Sequence, residues 1–557
     1  MKQTTLPIGI DLGTTNSAIA IWRNGQVELI PNSLGELLTP SVVSIDENNT
    51  ILVGQAAKSR MVTRPRESVS AFKRFLGTDK VFCLSTQTFK ASELCAIVLK
   101  SLKADAEAYL DETIKDVVIS VPAYFSDQQR KEVRLAAEIA GLNAVRLINE
   151  PTAACLAYSL HEGQVRRFLV LDLGGGTFDV TVVEYQDSFI EVRASTGDNY
   201  LGGEDFSDDL VTAVLERLHK EACDVSLKDL AAIRSVVEQA KINRVGPSIT
   251  ITLPSPFVET LEFSSDQLQA LWSKTLSRMT QPLSQALADA RLKPELIDDL
   301  IFVGGATRLR EVQQVATRLL GRFGKCELDP DLVVACGAAV QAACRLRDEA
   351  VEELILTDVC PYSLGIEANC GSQRGIFSPI IERNTIIPVS REERYYAIDK
   401  QQVDISIYQG ERFWARENIF IDKLQVAVPK NKAGEEAVDV RFSYDINGLL
   451  EVDVTVVSTG EVQQKVIDRS PSGMTPEELA ESCARLAKLK FHPRDAQPNV
   501  ALIEKLHQLY VEKLSWEREW LQECIINFSN ALEYWSDAEI EIARKEIELR
   551  LKELGFS

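Results

Sequence analysis

The stretch Ile8-Gly9-Ile10-Asp11-Leu12-Gly13-Thr14-Thr15 decides the fold, because a second version of it occurs about one domain length further along the chain. The second version reads Leu169-Val170-Leu171-Asp172-Leu173-Gly174-Gly175-Gly176-Thr177. In each version an apolar strand ends at an aspartate, and a turn of glycine and threonine leads into another strand. A duplicated unit of this kind predicts two similar lobes that face one cleft.

The residue types in the two turns indicate a phosphate-binding cleft. Glycines allow the backbone to approach a ligand closely, so that successive N–H groups converge on phosphate oxygens. An aspartate at the end of the strand would hold Mg²⁺, mainly through water. A single copy could equally be a hairpin with a glycine turn, but two copies with the same order of residues favour phosphate. The sequence contains no GxxxxGK[ST] motif, which excludes the P-loop enzymes.

The composition excludes other classes of protein. The 557 residues are enough for several domains, yet no apolar run is long enough to span a bilayer. The net charge of −21 disfavours nucleic acid and anionic membranes as partners. The eleven cysteines include no CxxC pair, and the amino terminus runs from Met1 almost directly into a strand. Both features predict a reducing, cytoplasmic location.

Six ordered segments in the first 350 residues carry a family resemblance. The segments are 10–17, Val121-Pro122-Ala123-Tyr124-Phe125, Ile148-Asn149-Glu150-Pro151-Thr152-Ala153-Ala154, 172–179, Leu201-Gly202-Gly203-Glu204-Asp205-Phe206 and Val303-Gly304-Gly305-Ala306-Thr307-Arg308. Together they resemble the ATPase domain of the seventy-kilodalton heat-shock chaperones, the DnaK family. The resemblance implies an α/β, actin-like ATPase domain of two lobes over residues 1–350, with ATP or ADP and Mg²⁺ in the cleft.

The resemblance assigns catalytic and metal-binding roles by matching position. Lys73 would position the attacking water, although a lysine in a helix is by itself more often solvated. Asp11 and Asp172 would hold Mg²⁺, mainly through water. A metal, a lysine and carboxylates are the expected tools of phosphoryl transfer, because charge neutralisation and positioning dominate that reaction. The catalytic candidates are Lys73, Glu150, Asp172, Thr177 and Asp179.

The same resemblance assigns the nucleotide contacts. The family's adenine-binding serine is replaced, because the sequence reads Asn243-Arg244-Val245-Gly246 there. The loss of one hydrogen bond, worth about 0.5 to 1.5 kcal/mol, would weaken nucleotide affinity severalfold. The phosphate-side candidates are Asp11, Gly13, Thr14, Thr15, Asn16, Gly174, Gly175, Gly176, Gly202 and Gly203. The adenosine-side candidates, part of which could by themselves be a plain strand-to-helix loop, are Glu238, Lys241, Gly304, Gly305, Arg308 and Asp331.

The pattern changes near residue 350, where the apolar run Leu354-Ile355-Leu356 lies between acidic residues and is followed by Asp358. This run could be one more strand of a neighbouring sheet. The resemblance instead implies an interdomain linker over residues 351–359, which in the family docks on the ATPase domain when ATP is bound and comes free after hydrolysis. We favour the linker because the following sequence has a different character.

Residues 360–470 alternate apolar and polar side chains, and Asn447-Gly448 is a strong hairpin signal. They predict an antiparallel β-sandwich that resembles the family's peptide-binding domain, which holds extended apolar segments. The usual methionine is absent from residues 368–375, and Tyr395-Tyr396 replaces smaller residues, so we expect a narrow client preference. The pocket candidates, each of which could equally be a core residue, are Ile366, Tyr396, Val403 and Ile405.

Residues 474–557 predict a short α-helical lid. Thr475-Pro476-Glu477-Glu478 carries the signals of a helix start, and His492-Pro493 and Gln497-Pro498 interrupt the helical pattern. The lid is shorter than is usual in the family, which indicates a resemblance to the specialised HscC-like branch. A stripe expected to pack between lid helices contains Trp516, Trp520, Cys524 and Phe528.

These features predict a monomeric, ATP-dependent chaperone that binds exposed apolar segments of client proteins, with hydrolysis switching peptide affinity through the linker. The family implies a J-domain co-chaperone, with contacts at Arg146, Asn149 and Thr152. The segment 253–261 is shorter than in many relatives, so we expect the usual nucleotide exchange factor to bind poorly or to be unnecessary. The alternatives are a chaperone-like exchange factor with little hydrolysis and an actin-fold metabolite kinase. The apparent retention of Lys73 argues against the first, and the β-sandwich against the second.

Overall fold

The computed structural model describes residues 6–159, 166–186, 189–324, 328–348, 350–351, 354–370, 373–398, 402–429, 435–446, 448–467, 476–487 and 489–556. Within these ranges no helix is both long and apolar enough to cross a membrane. Two sequence signals, Thr475 at the predicted helix start and Asn447 in the predicted hairpin, lie outside the described residues, as do residues 352–353 of the predicted linker.

The first lobe is a mixed sheet flanked by helices. Its main sheet has the order β11-β10-β1-β2-β3, with β4 paired to β2, and a smaller sheet joins β6, β5 and β7. Its elements are β1 (Ile8–Asp11), β2 (Asn16–Arg23), β3 (Gln26–Leu29), β4 (Thr39–Pro40), β5 (Val43–Ile45), β6 (Thr50–Val53), α1 (Gln55–Thr63), β7 (Ser68–Val69), β8 (Val81–Leu84), β9 (Gln87–Lys90), α2 (Ala91–Leu110), β10 (Asp116–Val121), α3 (Asp127–Ile139) and β11 (Asn143–Asn149).

The second lobe repeats the plan, with β12, β13 and β14 corresponding to the hairpin and neighbouring strand of the first. The parallel partner of β12 is β17, and β15 and β16 form a separate hairpin. The elements are α4 (Glu150–Ser159), β12 (Arg166–Leu173), β13 (Phe178–Gln186), β14 (Phe189–Asp198), α5 (Gly203–Arg217), α6 (Leu227–Ile242), β15 (Ile249–Thr252), β16 (Thr260–Phe263), α7 (Ser265–Leu271), α8 (Ser273–Asp289), β17 (Asp299–Val303), α9 (Arg310–Leu320) and α10 (Val333–Leu346).

The lobes meet where α4 and α10 cross. A shared apolar core joins Val118 of the first sheet to Val170 of the second through these two helices. The crossing is lined by small side chains and is very close, since a Cβ at Gly337 would lie 1.7 Å from the carbonyl oxygen of Ala153. The lobes are therefore connected by a tight contact between backbones rather than by long interdigitating side chains.

A β-sandwich follows the two lobes. One sheet has the order β20-β19-β23-β24 and the other the order β22-β25-β26-β27. The alternating pattern of the sequence buries one face of each sheet in a common core. The strands are β18 (Ile355–Val359), β19 (Leu364–Cys370), β20 (Gln373–Ile381), β21 (Ile386–Ile387), β22 (Val389–Ile398), β23 (Gln402–Gln409), β24 (Ile419–Ala427), β25 (Glu435–Tyr444), β26 (Leu450–Val456) and β27 (Glu461–Ile467).

Strand β18 contacts both the second lobe and the base of the sandwich. It pairs in parallel with β14 of the second lobe and antiparallel with β21 at the base of the sandwich. Strand β18 thus extends the sheet of the second lobe, as the first of the two interpretations of this run predicts. The role of the segment as a linker that docks and comes free stays a prediction.

The helical carboxyl-terminal part lies against the first lobe. Leu486 enters the first lobe's core, and the short strand β28 pairs in parallel with β6. Arg485 also forms an ion pair with Glu93. The elements are α11 (Pro476–Ala487), β28 (Lys490–Phe491), α12 (Gln497–Glu512), α13 (Ser515–Tyr534) and α14 (Asp537–Glu553).

Two details of the lid differ from the sequence expectation. Gln497-Pro498 begins α12 instead of interrupting a helix, because a proline in the first turn has no N–H that the helix needs to bond. The expected aromatic stripe is also incomplete. Phe528 is buried, Trp520 and Cys524 are partly buried in the lid core, but the side chain of Trp516 is 57% exposed because it lies in the first turn of α13.

Candidate active site

The cleft between the lobes holds a cavity of about 740 Å³, which is within the usual range for a cofactor pocket. Both duplicated turns open into it. Most sequence-predicted site residues line this cavity: Asp11, Gly13, Thr14, Thr15, Asn16, Lys73, Glu150, Asp172, Gly174, Gly175, Thr177, Gly203, Glu238, Lys241, Gly304, Gly305, Arg308 and Asp331. The remaining three, Gly176, Asp179 and Gly202, lie directly behind the lining residues.

The two glycine-rich turns are held in contact across the cleft. A Cβ at Gly175 would lie 1.8 Å from Thr15 Oγ1, so only glycine permits the turns to approach this closely. The second turn is held by the first residues of α5. The N–H groups of Gly203 and Glu204 donate to the carbonyl oxygens of Gly174 and Gly175, each at 2.9 Å. A Cβ at Gly174 would meet no atom within 4 Å, which leaves this glycine open to the cavity.

Lys73 is buried and pairs with Glu150. Its Nζ donates to Glu150 Oε1 at 2.8 Å, and only 2% of the lysine is exposed. Burial by itself would lower the lysine pKa, but the carboxylates of Glu150 and Asp11 outweigh burial and raise it. Lys73 is therefore a fixed positive charge at the bottom of the cleft.

Three aspartates surround this pair. Burial, followed by repulsion from Glu150, raises the pKa of Asp11 to about 7, although Ser120 Oγ donates to Asp11 Oδ1 at 2.6 Å. The same causes raise the pKa of Asp179 to about 7, despite hydrogen bonds from two backbone N–H groups of the first lobe. The pKa of Asp172 is raised well above its ordinary value, first by burial and then by repulsion from Glu150.

These groups fit a magnesium ion with its water shell. Four carboxyl groups face one lysine, so ionisation of all four leaves an excess of negative charge in a buried place. Asp172 Oδ2 is buried and has no hydrogen-bond partner among the described residues, so it can accept from a metal-bound water. Within the described ranges no three Cys, His, Asp or Glu side chains form a group that could hold a metal ion. Carboxyl oxygens that accept from metal-bound water suit a hydrated ion that also contacts phosphate.

The adenosine side is a polar network on α5 and α6. Lys241 Nζ donates to the carbonyl oxygen of Gly203 at 2.8 Å and to Ser207 Oγ at 2.6 Å. Glu238 accepts from Lys241 at 2.8 Å and also from Ser207. Burial would raise the pKa of Glu238, but Lys241 outweighs burial and lowers it. At the facing wall, Arg308 pairs with Asp331 at 2.9 Å.

Several supporting residues were not found from the sequence. Ser120 and Ser207, which bond Asp11 and Glu238, are ordinary polar residues without a distinctive spacing. Arg244, noted only as part of a replaced motif, forms a buried ion pair of 2.9 Å with Glu311. No short-range signal joins Arg244 to Glu311, since this pairing depends on how α6 and α9 pack.

The predicted J-domain contacts lie beside the docked linker. Asn149 Nδ2 donates to Asp358 Oδ2 at 2.8 Å, and Thr152 Oγ1 lies 3.5 Å from the same oxygen. Arg130 donates to Asn149 Oδ1 at 2.6 Å. Burial lowers the pKa of Arg146, and its Nε is buried without a hydrogen-bond partner among the described residues. The predicted contacts are thus packed against the segment that contains Asp358, and Asn149 and Thr152 are buried, at 6% and 1% exposed.

The peptide-pocket candidates do not all lie together. Ile366 and Ile405 belong to the sandwich core, where they are 2% and 3% exposed, and Val403 is partly buried against it. Tyr396 lies on the other sheet and is 62% exposed. The geometry keeps open both interpretations of the buried residues, as pocket floor and as core.

The cleft between two lobes, the β-sandwich and the helical part together define the class of protein: a two-lobed ATPase joined to a β-sandwich and a helical part. The family model for the Hsp70 protein matches residues 7–83 and 78–513. The "Chaperone protein DnaK" of Thermotoga neapolitana is 41% identical over 480 residues, which cover 83% of this chain and 80% of that protein. The DnaK of Thermotoga petrophila is 40% identical over the same shares.

The chain belongs to the Hsp70 family, which confirms the resemblance to the DnaK chaperones. It is a chaperone of this family and an ATPase, as the sequence predicts.

Proposed function

We propose that nucleotide in the cleft controls the affinity of the sandwich for apolar client segments through the docked strand β18. The single observation that carries this proposal is the contact of Asp358 with Asn149. Asn149 immediately precedes Glu150, the partner of Lys73. A linker side chain is thus two residues away from the buried ion pair at the centre of the cleft, so a change at either end acts on the other.

Each residue of the cleft has a chemical role in this proposal. The backbone N–H groups of the two glycine turns bind phosphate oxygens. Lys73 orients the attacking water and stabilises the charge that develops on the transferred phosphoryl group. Asp11 and Asp172 would hold magnesium through water, and the ion would supply neutralisation of phosphate charge. Glu150 fixes the position of Lys73, and Asp179 would accept from water in the cleft.

A second contact path supports the same coupling. Asp179 accepts hydrogen bonds from the backbone N–H groups of Ala123 and Tyr124, across the cleft from its own strand. Tyr124 in turn stacks on Tyr362, with ring centroids 4.3 Å apart, and its carbonyl oxygen accepts from the Tyr362 hydroxyl at 2.8 Å. Tyr362 follows the linker, so a shift of the lobes at Asp179 moves the base of the sandwich.

The client site is the β-sandwich, which would hold an extended apolar segment by main-chain hydrogen bonds. Ile366, Val403 and Ile405 are the proposed apolar pocket, and Tyr396 is proposed to contact the client from the second sheet. The exposed tyrosine in place of a smaller residue supports a narrow client preference. A J-domain co-chaperone is proposed to act at Arg146, Asn149 and Thr152, where access to the buried Asn149 and Thr152 requires that the segment containing Asp358 move away.

The proposed location is the cytoplasm and the proposed state is a monomer. All ten cysteines in the described ranges are free thiols, which suits a reducing compartment. Binding of an exchange factor is tested by measuring ADP release with and without such a factor. A large acceleration would contradict the expectation that this chain depends on it little.

The test of the proposed function combines two measurements on the full-length protein. A peptide array probed in the ADP state should give selective binding of apolar peptides, and steady-state ATPase should rise when the cognate J-domain protein is added. A flat array together with an unstimulated, very low ATPase would favour the exchange-factor alternative. Phosphorylation of a small metabolite would favour the kinase alternative.

A further inference from the structure

The lid contacts both lobes of the ATPase domain. Helix α12 packs against α1 of the first lobe and also reaches α6 of the second. At the second lobe, Ser235 Oγ donates to Glu512 Oε1 at 2.7 Å. Gln508 Nε2 donates to the same carboxylate oxygen at 2.9 Å and to Ser235 Oγ at 3.2 Å. Gln508 and Glu512 are each only 8% exposed, so this cluster is a packed contact and not a loose surface encounter.

The contact borders a chamber next to the nucleotide cavity. The chamber has a volume of about 800 Å³ and is lined by the first lobe, by α6 and by the lid, with Leu502, Leu551 and Phe556 among its residues on the lid side. It adjoins the nucleotide cavity, because six residues line both. The shared residues are Thr14, Thr15, Asn16, Glu204, Glu238 and Ile242.

The attachment to the first lobe is much the stronger of the two. Arg60, which is 3% exposed, pairs with Glu504 of α12 at 2.9 Å. Ala501 enters an apolar cluster with Ala57, and β28 adds backbone hydrogen bonds to β6. The attachment to the second lobe is a small polar cluster of Ser235, Gln508 and Glu512, to which Gln239 of α6 adds a hydrogen bond with Glu512. When the lobes separate, α12 therefore stays with the first lobe and leaves the second.

We propose that α12 is a strap between the two lobes, and that nucleotide leaves the cleft only after the Glu512 end of the strap detaches from Ser235. This inference rests on the proposed nucleotide site. Release of nucleotide needs the lobes to part, and the lobes cannot part while both ends of α12 are attached. Movement of the lid away from the ATPase domain then opens the cleft without an external exchange factor.

The experiment measures release of a fluorescent, non-hydrolysable ATP analogue from the full-length protein after a chase with unlabelled ATP. In Ser235→Asp a second carboxylate faces Glu512, and release should become about tenfold faster because like charges repel strongly in a mostly buried contact. The double variant Ser235→Asp/Glu512→Lys restores attraction across the same contact, so its release should return to within about twofold of the wild-type rate.

Two further variants make the test specific. Ser277→Asp places the same charge on an exposed serine of α8, which packs against strands of its own lobe, and should release at the wild-type rate. Gln508→Ala removes only the two donated hydrogen bonds and should release severalfold faster, which covers the case in which Ser235→Asp does not fold. Wild-type release from both Ser235→Asp and Gln508→Ala, or failure of the double variant to restore slow release, overturns the strap. Failure of the wild-type protein to bind the analogue overturns the nucleotide site itself.

Discussion

Asp358 of the linker strand accepts a 2.8 Å hydrogen bond from Asn149, the residue that precedes Glu150. Burial raises the pKa of Asp358, and the hydrogen bonds and the nearby Arg130 and Arg146 act in the opposite direction. The carboxylate oxygens of Asp358 thus accept hydrogen bonds from several donors. Docking of β18 on the second lobe and positioning of the cleft residues are consequently linked through one carboxylate.

Replacing Asp358 by alanine should uncouple the domains. The change leaves the buried Asn149 amide without its acceptor, which costs roughly 1 to 3 kcal/mol in the docked arrangement and nothing when the linker is free. We expect ATP-triggered peptide release to become at least about tenfold slower, while the protein still binds nucleotide. Stopped-flow release of a labelled peptide checks this, with Glu382→Gln, on an exposed position of the sandwich, as the control. Unaltered release in Asp358→Ala would remove this contact from the coupling.

The apolar face of the linker should matter more than its exposed face. Leu354 and Leu356 are partly buried against the interlobe core, whereas Ile355 is 52% exposed. In Leu354→Asp/Leu356→Asp, burial of two charges prevents docking, so peptide release should lose its response to ATP while nucleotide binding stays intact. Ile355→Asp is the matched control and should retain most of the response. If release in the double variant still responds to ATP, the linker assignment is wrong.

Variants of the buried pair of Lys73 and Glu150 should affect stability and catalysis separately. Lys73→Met leaves Glu150 buried without its partner and should lower the free energy of unfolding by about 3 to 5 kcal/mol. It should also slow hydrolysis roughly a hundredfold or more, because a fixed positive charge near the transferred phosphoryl group is lost. The double variant Lys73→Met/Glu150→Gln removes the uncompensated charge, so most of the stability should return while hydrolysis stays slow. Urea unfolding and single-turnover ATPase measure the two quantities, and a double variant that hydrolyses ATP normally would contradict the role of Lys73.

The raised pKa values of Asp11 and Asp179 predict a pH dependence of stability. Their pKa is about 7 in the folded protein against an ordinary value of 3.8, so between these values the folded state binds protons that the unfolded chain has released. The free energy of unfolding of the nucleotide-free protein should therefore fall as the pH rises from about 4 to about 7, and this contribution should level off above that range.

Magnesium competes with those protons, so its stabilising effect should grow as the pH rises. Thermal denaturation with ADP plus magnesium, compared with ADP plus EDTA, should give a larger difference in Tm at about pH 8 than at about pH 6. The nucleotide's own phosphate also titrates in this range, so the comparison of wild type with Asp11→Asn isolates the contribution of the carboxyl group. In Asp11→Asn the pH dependence should shrink. A magnesium-dependent gain that is equal at both pH values would exclude these carboxyl groups as the metal site.

The parts of the molecule that local sequence encodes were predicted from it. The duplicated turns with Asp11 and Asp172 indicated a two-lobed cleft, because each needs only a strand, a turn and a glycine. The position of the lid was not predicted. Strand β28 has two residues and therefore no periodicity to recognise, and its partner β6 lies at the other end of the chain. Ser207 and the Arg244–Glu311 pair were not predicted either, because only tertiary packing brings these residues to the site.

The crossing of α4 and α10 has a consequence for how the lobes move. Alanine and glycine have no side-chain rotamers, so two helices that meet through Ala153 and Gly337 can shear past each other without repacking. The contact between the lobes therefore offers little resistance to sliding of one helix past the other. A larger side chain at Gly337 would collide with the Ala153 carbonyl and force the helices apart, so the size of a few small residues sets how closely the two lobes meet.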